Sequence, residues 1–334
     1  MSQVRQSHIG LELVDRLVQE VEEELRGIRL PSAPTQLYEP IRYVLSGGGK
    51  RLRPVLVLLT AEAFGGTECR KSAIPAALAV ELFHNFTLIH DDIMDHAETR
   101  RGRPTIHQKW DQSTAILCGD LMMGMAYEQL ARVRRSQTTE LLAIFSRMVR
   151  SLCEGQMLDM VFEKQPATSV DDYLDMIDAK TGALIEATLE LGSVIGKATE
   201  RQTHAMKRAG GEIGRAFQIQ DDLLDLTAKN DKWGKTIGGD LMEGKKTFLL
   251  LSAIERADQD NQEFFSRILD QHGLPAEDIP EARRRMQELG VLDLAASTVL
   301  RHSQNAQQFL DVLPENDASH ALRALVTKLV SRVR

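Results

Sequence analysis

Apolar residues recur three and four positions apart along almost the whole chain, from about residue 10 to residue 330. In LELVDRLVQEVEEELRGI, for example, Leu13, Leu17, Val21 and Leu25 share one face of a helix, and acidic residues occupy the other face. Alternation of apolar and polar residues, the pattern of a half-buried strand, is almost absent. The periodicity therefore predicts an all-α fold with a mostly aliphatic core.

Glycine, proline and polar residues interrupt this periodicity at only a few places. The interruptions are LPSAP (30–34), SGGGK (46–50), FGGTE (64–68), RGRP (101–104), KQPATS (164–169), a polar stretch over about 229–246, and HGLPAEDIP (272–280). Between them lie roughly ten to twelve helices. Because no low-complexity linker separates two parts of the chain, we expect a single-domain helical bundle over residues 1–334, although the length alone also allows two domains.

Composition and charge exclude several classes of function. The 41 basic and 48 acidic residues give a formal charge of −7, which argues against general nucleic-acid binding. No apolar run approaches the roughly 18 residues of a membrane span, and the N-terminus has no signal-peptide core. The three cysteines are far apart, as expected in a reducing compartment and not in a disulfide framework or a zinc site. We therefore expect a cytoplasmic protein without a membrane span.

Two adjacent aspartates followed by a third aspartate occur three times with the same spacing. These are the 91–95 cluster (DDIMD), the 171–175 cluster (DDYLD) and the 221–225 cluster (DDLLD). On a helix, residues i and i+4 share a face, so Asp91 and Asp95 can converge on one ligand. Crowded carboxylates repel unless they are solvated, protonated or bound to cations, and oxygen ligands alone suit Mg²⁺ or Mn²⁺. For any single cluster, a solvated acidic helix face is the alternative.

The flanking residues separate the three clusters. Ser169 stands where the N-cap of a helix is expected, and Asp171 and Asp172 fall in the first helical turn, where acids favour the helix dipole. We therefore assign the 171–175 cluster to helix initiation. The 91–95 and 221–225 clusters instead follow or interrupt apolar helical segments. We expect these two clusters to bind metal and to face one cavity.

Basic residues beside glycines can complement the charge of the acidic clusters. The groups are Lys50, Arg51 and Arg53 in GGGKRLRP, Arg100 and Arg101 in ETRRGRPT, and Lys235, Lys245 and Lys246 in KWGKTIGGDLMEGKKTF. Glycine lets the backbone approach a ligand closely, arginine makes bidentate phosphate contacts, and lysine acts as a point charge. Each group alone also fits solvated surface. Together with two metal-binding clusters they indicate a polyphosphate site, but not a nucleotide P-loop, since the GxxxxGK[ST] spacing is missing.

The order of these motifs resembles that of the trans-isoprenyl diphosphate synthases, most of all the geranylgeranyl type. The motifs are GGGKRLRP, HDDIMDHAETRRGRPTIH, AKTGALIEA, FQIQDDLLDL and GKTIGGDLMEGKKT, and the similarity spans roughly residues 38–250. The resemblance implies the isoprenoid synthase fold, in which a helical bundle surrounds a deep apolar cavity with the two aspartate motifs at its mouth. It also implies a homodimer and three Mg²⁺ ions, for which Mn²⁺ can substitute.

The resemblance carries over residue by residue. The metal ligands are Asp91, Asp92 and Asp95 in the first motif and Asp221, Asp222 and Asp225 in the second. Lys50, Arg53, His84 and Arg101 match contacts to isopentenyl diphosphate, and Arg100, Lys180, Thr181 and Lys235 match contacts to the allylic diphosphate, with Gln218 lining the site. The catalytic set is Asp91, Asp92, Asp95, Asp221, Asp222, Arg100 and Lys180. Asp240 and Lys245 fall in the implied closing loop.

The implied reaction joins an allylic diphosphate (dimethylallyl, geranyl or farnesyl) to isopentenyl diphosphate by ionisation, condensation and elimination. In the family, bulky residues just before the first motif stop elongation. Phe86, Thr87 and Phe83 precede Asp91 by five, four and eight residues, and the motif has no two-residue insertion. The resemblance therefore implies geranylgeranyl diphosphate as the main product, with farnesyl diphosphate as the alternative.

Two other functions fit parts of the pattern. A class I terpene cyclase also ionises an allylic diphosphate, but it does not need Lys50, Arg53 and Arg101 and usually lacks a second aspartate motif. A non-catalytic prenyl-synthase subunit tends to lose an aspartate cluster or the basic groups, and this chain keeps both. Residues after about Asp258 carry no motif that assigns them a function.

Overall fold

The computed structural model describes residues 3–134, 136–165, 167–228 and 237–330. These residues are largely helical, which confirms the all-α prediction. The helices are α1 (Gln3–Gly27), α2 (Thr35–Leu45), α3 (Leu52–Met94), α4 (Ile106–Lys109), α5 (Gln112–Ala131), α6 (Thr138–Lys164), α7 (Val170–Ile177), α8 (Ala183–Ile195), α9 (Glu200–Thr227), α10 (Gly239–Met242), α11 (Phe248–Arg256), α12 (Gln259–Asp270), α13 (Ile279–Glu288), α14 (Val291–Phe309) and α15 (Asp317–Val330). Within the described ranges they outnumber the roughly ten to twelve predicted, in part because short helices such as α4 and α10 lie beside or inside predicted interruptions.

A short antiparallel hairpin was not predicted from the sequence. It pairs β1 (Thr99–Arg100) with β2 (Arg103–Pro104), and Arg100 lies opposite Arg103. Two-residue strands are too short to show an alternating pattern. The turn between them has a positive φ at both Arg101 (54°) and Gly102 (72°), as in the tight turns that match the twist of a hairpin.

The chain divides into two compact units. Unit 1 comprises Met1–Ser146, Thr188–His204 and Leu313–Leu325, and unit 2 comprises Arg147–Ala187, Ala205–Val312 and Val326–Arg334. Unit 1 contains the 91–95 cluster and the β-hairpin, whereas unit 2 contains the 171–175 and 221–225 clusters. The prediction that the 91–95 and 221–225 clusters face one cavity concerns both units and stays a prediction.

In unit 1, helix α3 folds back on itself. A straight helix would separate residues 51 and 81 by about 45 Å, yet Nη1 of Arg51 lies 2.5 Å from Oε1 of Glu81. The chain reverses at Gly66, whose φ of 71° and ψ of −173° are not helical. The reversal brings the start of α3 beside the second half of the helix, which carries His84 and Asp91.

Helices α1 and α3 supply much of the apolar core of unit 1. The predicted stripe on α1 is confirmed, because Leu13, Leu17, Val21 and Leu25 are all buried. In the described part of the chain, α3 is the one helix whose length and composition would allow it to cross a membrane, and 67% of its most apolar window is buried inside the protein. The reversal at Gly66 and this burial identify α3 as a core helix.

In unit 2, glycines allow helix α9 to approach its neighbours closely. A Cβ atom at Gly214 would lie 2.6 Å from the Cα atom of Gly182, and one at Gly210 would lie 2.5 Å from the Cα atom of Glu186. Larger residues at these positions would force the backbones apart. The contact sets residues 182–186 directly against the half of α9 that leads into the 221–225 cluster.

Candidate active site

The glycine-rich loop of unit 1 contacts the β-hairpin. The guanidinium of Arg101 donates a hydrogen bond to the backbone carbonyl of Gly48. A Cβ atom at Gly49 would lie 3.0 Å from Nη1 of Arg101, so glycine leaves room for this contact. Lys50 follows the loop and is exposed. Two of the residues predicted to hold isopentenyl diphosphate thus lie on adjoining segments.

An aromatic and cationic contact fixes the hairpin to helix α2. The hydroxyl of Tyr43 donates to the carbonyl of Pro104 at 2.9 Å, and the guanidinium of Arg103 lies 3.8 Å from the centre of the Tyr43 ring. Nζ of Lys109 lies 4.0 Å from the centre of the same ring. Cation–π contacts of this kind contribute about 0.5–1 kcal/mol each at exposed sites. They hold the segment that presents Arg100 and Arg101.

His84 and Arg53 form the second basic contact of unit 1. Nη1 of Arg53 lies 3.2 Å from Nε2 of His84. Desolvation, followed by the charges of Arg53 and Arg101, lowers the pKa of His84 well below its usual value. The imidazole is therefore neutral at pH 7, and because arginine can only donate, Nε2 accepts and Nδ1 carries the proton. The charges of Arg53 and Arg101 both act on His84, so these three residues lie near one another in unit 1.

The three acids of the 91–95 cluster differ in their surroundings. Asp92 is buried, and its Oδ1 accepts from Nε of Arg100 at 2.7 Å. Burial raises the pKa of Asp92, and the charge of Arg100 offsets part of this increase. Asp91 is half-buried, whereas Asp95 is exposed at the end of α3, where its backbone N–H donates to the carbonyl of Asp91 at 2.8 Å. Asp91 and Asp95 thus have the predicted i,i+4 relation.

A small cavity of about 60 Å³ lies beside the Asp92–Arg100 pair. Arg100, Arg101 and Asp92 line it together with apolar side chains from α3 and α4, among them Leu88 and Ile106. The cavity therefore combines guanidinium groups with an apolar wall.

The 221–225 cluster of unit 2 shows a similar division. Asp222 is 4% exposed and Asp225 is 7% exposed, whereas Asp221 is half-buried. Oδ2 of Asp222 accepts from the hydroxyl of Tyr173 at 2.6 Å and from the backbone N–H of Phe248 at 3.1 Å. Burial raises the pKa of Asp222 to about 7, although the hydrogen bond from Tyr173 acts against this increase. Asp222 is thus an internal anchor of the second motif.

The start of helix α10 is also held by an acid of this cluster. Oδ2 of Asp225 accepts from the backbone N–H of Asp240 at 3.2 Å, and the carbonyl of Asp225 accepts from Gly238 at 2.8 Å. Nζ of Lys245 lies 3.9 Å from Oδ1 of Asp240. Lys235, which the sequence also assigns to this site, lies outside the described residues. The prediction that Asp240 and Lys245 belong to a closing loop is not tested by these contacts.

Lys180 and Thr181 lie on a π-helical turn, Asp178–Gly182, between α7 and α8. Such turns occur frequently at functional sites. Nζ of Lys180 contacts Oδ2 of Asp159, and the hydroxyl of Thr181 donates to Oε1 of Gln218 at 3.2 Å. Helix α6 approaches closely, since a Cβ atom at Gly155 would lie 2.4 Å from the backbone nitrogen of Lys180. The structure thus places Thr181 in contact with Gln218 and Lys180 next to Thr181 on the same turn.

The 171–175 cluster begins a helix, as predicted. The hydroxyl of Ser169 accepts from the backbone N–H of Asp172, and Oδ2 of Asp172 accepts from the backbone N–H of Ser169 at 2.9 Å. This reciprocal pair is a capping box. Asp171 and Asp175 are exposed. The hydrogen bonds of the cap account for the position of Asp172.

Phe86 belongs to a row of aromatic side chains. Its ring centre lies 5.4 Å from that of Phe83 and 4.6 Å from that of His90. Phe83 is fully buried, and the hydroxyl of Thr87 donates to the carbonyl of His84 at 2.8 Å. Of the three residues predicted to limit product length, Phe86 is half-buried, whereas Phe83 and Thr87 are buried. Phe83 packs against Phe86 from the core.

In each unit, the acids that are not buried fit Mg²⁺. Asp91 and Asp95 in unit 1 and Asp221 in unit 2 are half-buried or exposed, and hard oxygen ligands suit this ion. Among the described residues, no group of three or more His, Cys, Asp or Glu side chains could hold an ion by itself. Any Mg²⁺ bound here would therefore take further oxygens from a diphosphate ligand and from water, as Mg²⁺ commonly does.

Several residues of this region were not predicted from the sequence. Tyr173, Asp159 and Phe248 contact predicted site residues from segments 21 to 49 positions away in the chain. The predicted helix cap already accounted for the acids beside Tyr173, so no sequence pattern assigned a role to the tyrosine. Gly155, in the stretch EGQMLD, is the one local signal, because glycine inside a helix often marks a close contact.

Comparisons with known proteins agree with these motifs. The family model described as polyprenyl synthetase matches residues 34–286. A geranylgeranyl diphosphate synthase of Methanosarcina mazei is 38% identical over 301 residues, which cover 90% of each chain. A short chain isoprenyl diphosphate synthase of Methanocaldococcus jannaschii is 40% identical over 275 residues, covering 82% of this chain and 83% of that protein.

Solved structures extend the agreement to the fold. The crystal structure of a geranylgeranyl pyrophosphate synthetase from Pyrococcus horikoshii superimposes with a TM-score of 0.85 at 37% identity, covering 99% of this chain and 98% of that one. Matches in sequence and fold over nearly the whole chain, together with the two aspartate motifs and the basic loop, lead to one conclusion. The chain belongs to the polyprenyl synthetase family.

Proposed function

We propose that this chain is a Mg²⁺-dependent prenyltransferase that joins an allylic diphosphate head to tail with isopentenyl diphosphate and makes geranylgeranyl diphosphate as its main product. The observation that carries the proposal is the convergence of Arg53, His84 and Arg101 near the end of the hairpin-shaped helix α3 that also holds Asp91. Guanidinium groups next to an acidic motif suit a diphosphate whose charge is shared between cations on two sides.

The proposed roles follow the contacts. Lys50, Arg53 and Arg101 bind isopentenyl diphosphate, and neutral His84 orients the Arg53 guanidinium through Nε2. Arg100, Lys180 and Lys235 bind the allylic diphosphate, and Thr181 and Gln218 line its site. Asp91, Asp95 and Asp221 carry the metal-binding role most directly, because they are half-buried or exposed, whereas Asp92, Asp222 and Asp225 are buried.

The reaction needs charge stabilisation more than covalent help from the protein. Breaking the allylic C–O bond leaves a carbocation and a diphosphate, the isopentenyl double bond attacks the cation, and loss of a proton to the diphosphate restores a double bond. Mg²⁺, when bound, neutralises negative charge on the leaving diphosphate. Arg100 and Lys180 stabilise the same charge, and an aliphatic lining excludes water, which would quench the cation.

Assembly and location form part of the same proposal. Residues 1–334 act as one synthase domain, present in the cytoplasm as a homodimer, with no nucleic-acid partner. Ile116 and Leu117 on helix α5 are 40% and 58% exposed, and adjacent exposed apolar residues of this size favour a partner surface. Among the relatives above, both named activities concern isoprenyl diphosphates, which supports the proposed substrates.

The function is tested by incubating the purified full chain with Mg²⁺, isopentenyl diphosphate and each allylic primer in turn. We expect the C20 diphosphate as the main product, identified by mass spectrometry after phosphatase treatment. Omitting isopentenyl diphosphate should abolish product formation. A cyclic or hydrolysed product formed from the allylic diphosphate alone would instead identify a terpene cyclase, and no product with any primer would indicate a non-catalytic subunit.

Product length is predicted to depend on Phe86. Replacing it with alanine removes a half-buried phenylalanine ring from the aromatic row, so the Phe86→Ala variant should release products longer than C20. The readout is the chain-length distribution under the same conditions. Phe309→Ala, which shortens another half-buried phenylalanine in unit 2, is the matched control and should keep C20. An unchanged distribution for Phe86→Ala would remove this residue from its proposed role.

A further inference from the structure

Tyr173 stands in the middle of the 171–175 cluster but does not share the role of its acids. Asp171 and Asp172 lie at the surface at the start of helix α7, whereas Tyr173 is 3% exposed. Its hydroxyl donates to Oδ2 of Asp222, 49 residues later in the chain, at 2.6 Å. The one buried residue of the helix-initiating cluster therefore reaches the second aspartate motif.

Three donors hold the carboxylate of Asp222. Besides Tyr173, the backbone N–H of Phe248 donates to Oδ2 at 3.1 Å and Nε2 of Gln218 donates to Oδ1 at 3.2 Å. The Phe248 N–H belongs to the first turn of helix α11, where the helix dipole also favours an anion. Both oxygens of Asp222 are thus engaged inside unit 2.

Anchoring Asp222 also fixes the direction of Asp221. Successive residues on an α-helix are rotated by about 100°, so an inward Asp222 sets which side of α9 carries Asp221. Asp221 is half-buried, whereas Asp222 and Asp225 are buried, so Asp221 is the acid of this cluster that a ligand outside the interior can reach most readily. The orientation of Asp221 therefore depends on the hydrogen bonds that Asp222 receives.

The same network reaches the π-helical turn. Gln218 donates to Asp222 and accepts from the hydroxyl of Thr181, the residue after Lys180. Tyr173 thus lies at one end of a series of hydrogen bonds that passes through Asp222 and Gln218 to Thr181, the neighbour of Lys180.

We propose that Tyr173 is a positioning residue of the prenyl-transfer site, and that its hydroxyl holds Asp222 in the interior so that Asp221 is presented to a metal-bound diphosphate. The inference rests on the proposed function. It gives the tyrosine of the 171–175 cluster a role that acts through Asp222, without contact between Tyr173 and substrate or metal. Loss of a hydrogen bond that orients a metal-binding carboxylate typically lowers metal affinity about 10- to 100-fold, and the lower end of this range is expected for an effect relayed through Asp222.

Tyr173→Phe removes only the hydroxyl and tests the proposal. We expect the Mg²⁺ concentration for half-maximal activity to rise about tenfold. KM for isopentenyl diphosphate should change less than about twofold, because uniform binding by the Arg53 and Arg101 contacts of unit 1 is retained. A second readout does not depend on turnover: Mn²⁺ binding in the presence of inorganic diphosphate, followed by the electron paramagnetic resonance signal of free Mn²⁺, should weaken by a similar factor.

The matched control is Tyr127→Phe, which removes a tyrosine hydroxyl that lies 3.4 Å from Oγ of Ser146 in unit 1. All measurements are made at a temperature at which circular dichroism shows each variant to be folded. If Tyr173→Phe melts earlier but binds Mn²⁺ and uses Mg²⁺ like the wild type, Tyr173 is only structural and the inference is wrong. If the wild type itself forms no prenyl product, the proposed function fails, and the Mn²⁺ measurement still decides the role of Tyr173.

Discussion

Replacing Asp91 or Asp221 by asparagine is expected to lower kcat/KM roughly 10²- to 10³-fold, which is the usual effect of removing one group that stabilises charge in a transition state. Asparagine keeps the size of the side chain but removes its charge, so an effect of this size reports electrostatics and not packing. Both acids are half-buried on helices that also carry a buried, internally bonded acid. Initial rates at saturating and limiting Mg²⁺ measure the loss.

The chain supplies its own control, because the same five-residue spacing occurs in the 171–175 cluster. Asp171 is exposed in the first turn of α7, and the cap is made by Ser169 and Asp172. Asp171→Asn should therefore keep kcat/KM within about twofold, as for a surface substitution that touches no special feature. Equal losses of kcat/KM on replacing Asp91, Asp221 and Asp171 would mean that the residues flanking each cluster do not distinguish the metal-binding clusters from the helix-initiating one.

The features that were predicted from the sequence depend on short-range regularities. The buried stripe on α1 follows from a repeat of about four residues, and the capping box follows from Ser169 and the acid three positions later. In each case, residues within one or two helical turns of each other determine the local structure.

The different environments of identical acids could not be read from their spacing. Asp92 and Asp222 occupy the same position in their motifs as the exposed Asp172 does in its own. Their burial depends on Arg100 and on Tyr173, which reach them from other segments. A pattern of three aspartates therefore predicts that carboxylates converge, but not which of them are satisfied by hydrogen bonds inside the protein.

The π-helical turn was missed for a related reason. The sequence DAKTG has no proline and no signal that separates a π-helical turn from an α-helical one. The turn is closely packed, because a Cβ atom added at Gly155 of α6 or at Gly214 of α9 would clash with the backbone of the turn. Long-range contacts thus decide how Lys180 and Thr181 are presented.

Arg51 shows the same limit within a basic run. The sequence KRLR suggests three exposed cations, yet the side chain of Arg51 is fully buried. Nε lies 2.6 Å from Oε1 of Glu22 and Nη1 lies 2.5 Å from Oε1 of Glu81. Burial alone lowers the pKa of Arg51, but Glu81 and Glu22 together raise it above its usual value. The triad links α1 and the second half of α3 to the glycine-rich loop.

Replacing Arg51 by methionine is therefore expected to destabilise the protein by about 3–5 kcal/mol, because it leaves buried carboxylates without their cation. Thermal and urea unfolding followed by circular dichroism measure the change. Arg26→Met is the control: Arg26 faces the same Glu22 at 4.0 Å, but its side chain is 76% exposed. Exposed ion pairs contribute about 0–1 kcal/mol, so this variant should unfold almost like the wild type.

A second substitution separates lost charge pairing from lost packing. Glu81→Gln should destabilise the wild type, because Arg51 loses its most buried partner. In the Arg51→Met background, the same change should restore part of the lost stability, since it removes the uncompensated charge. The two effects have opposite signs only if the charges of Arg51 and Glu81 are coupled, which a double-mutant cycle measures directly. If Glu81→Gln lowered stability equally in both backgrounds, the buried pair would contribute through shape alone, and the ionic anchor of the glycine-rich loop would have to be abandoned.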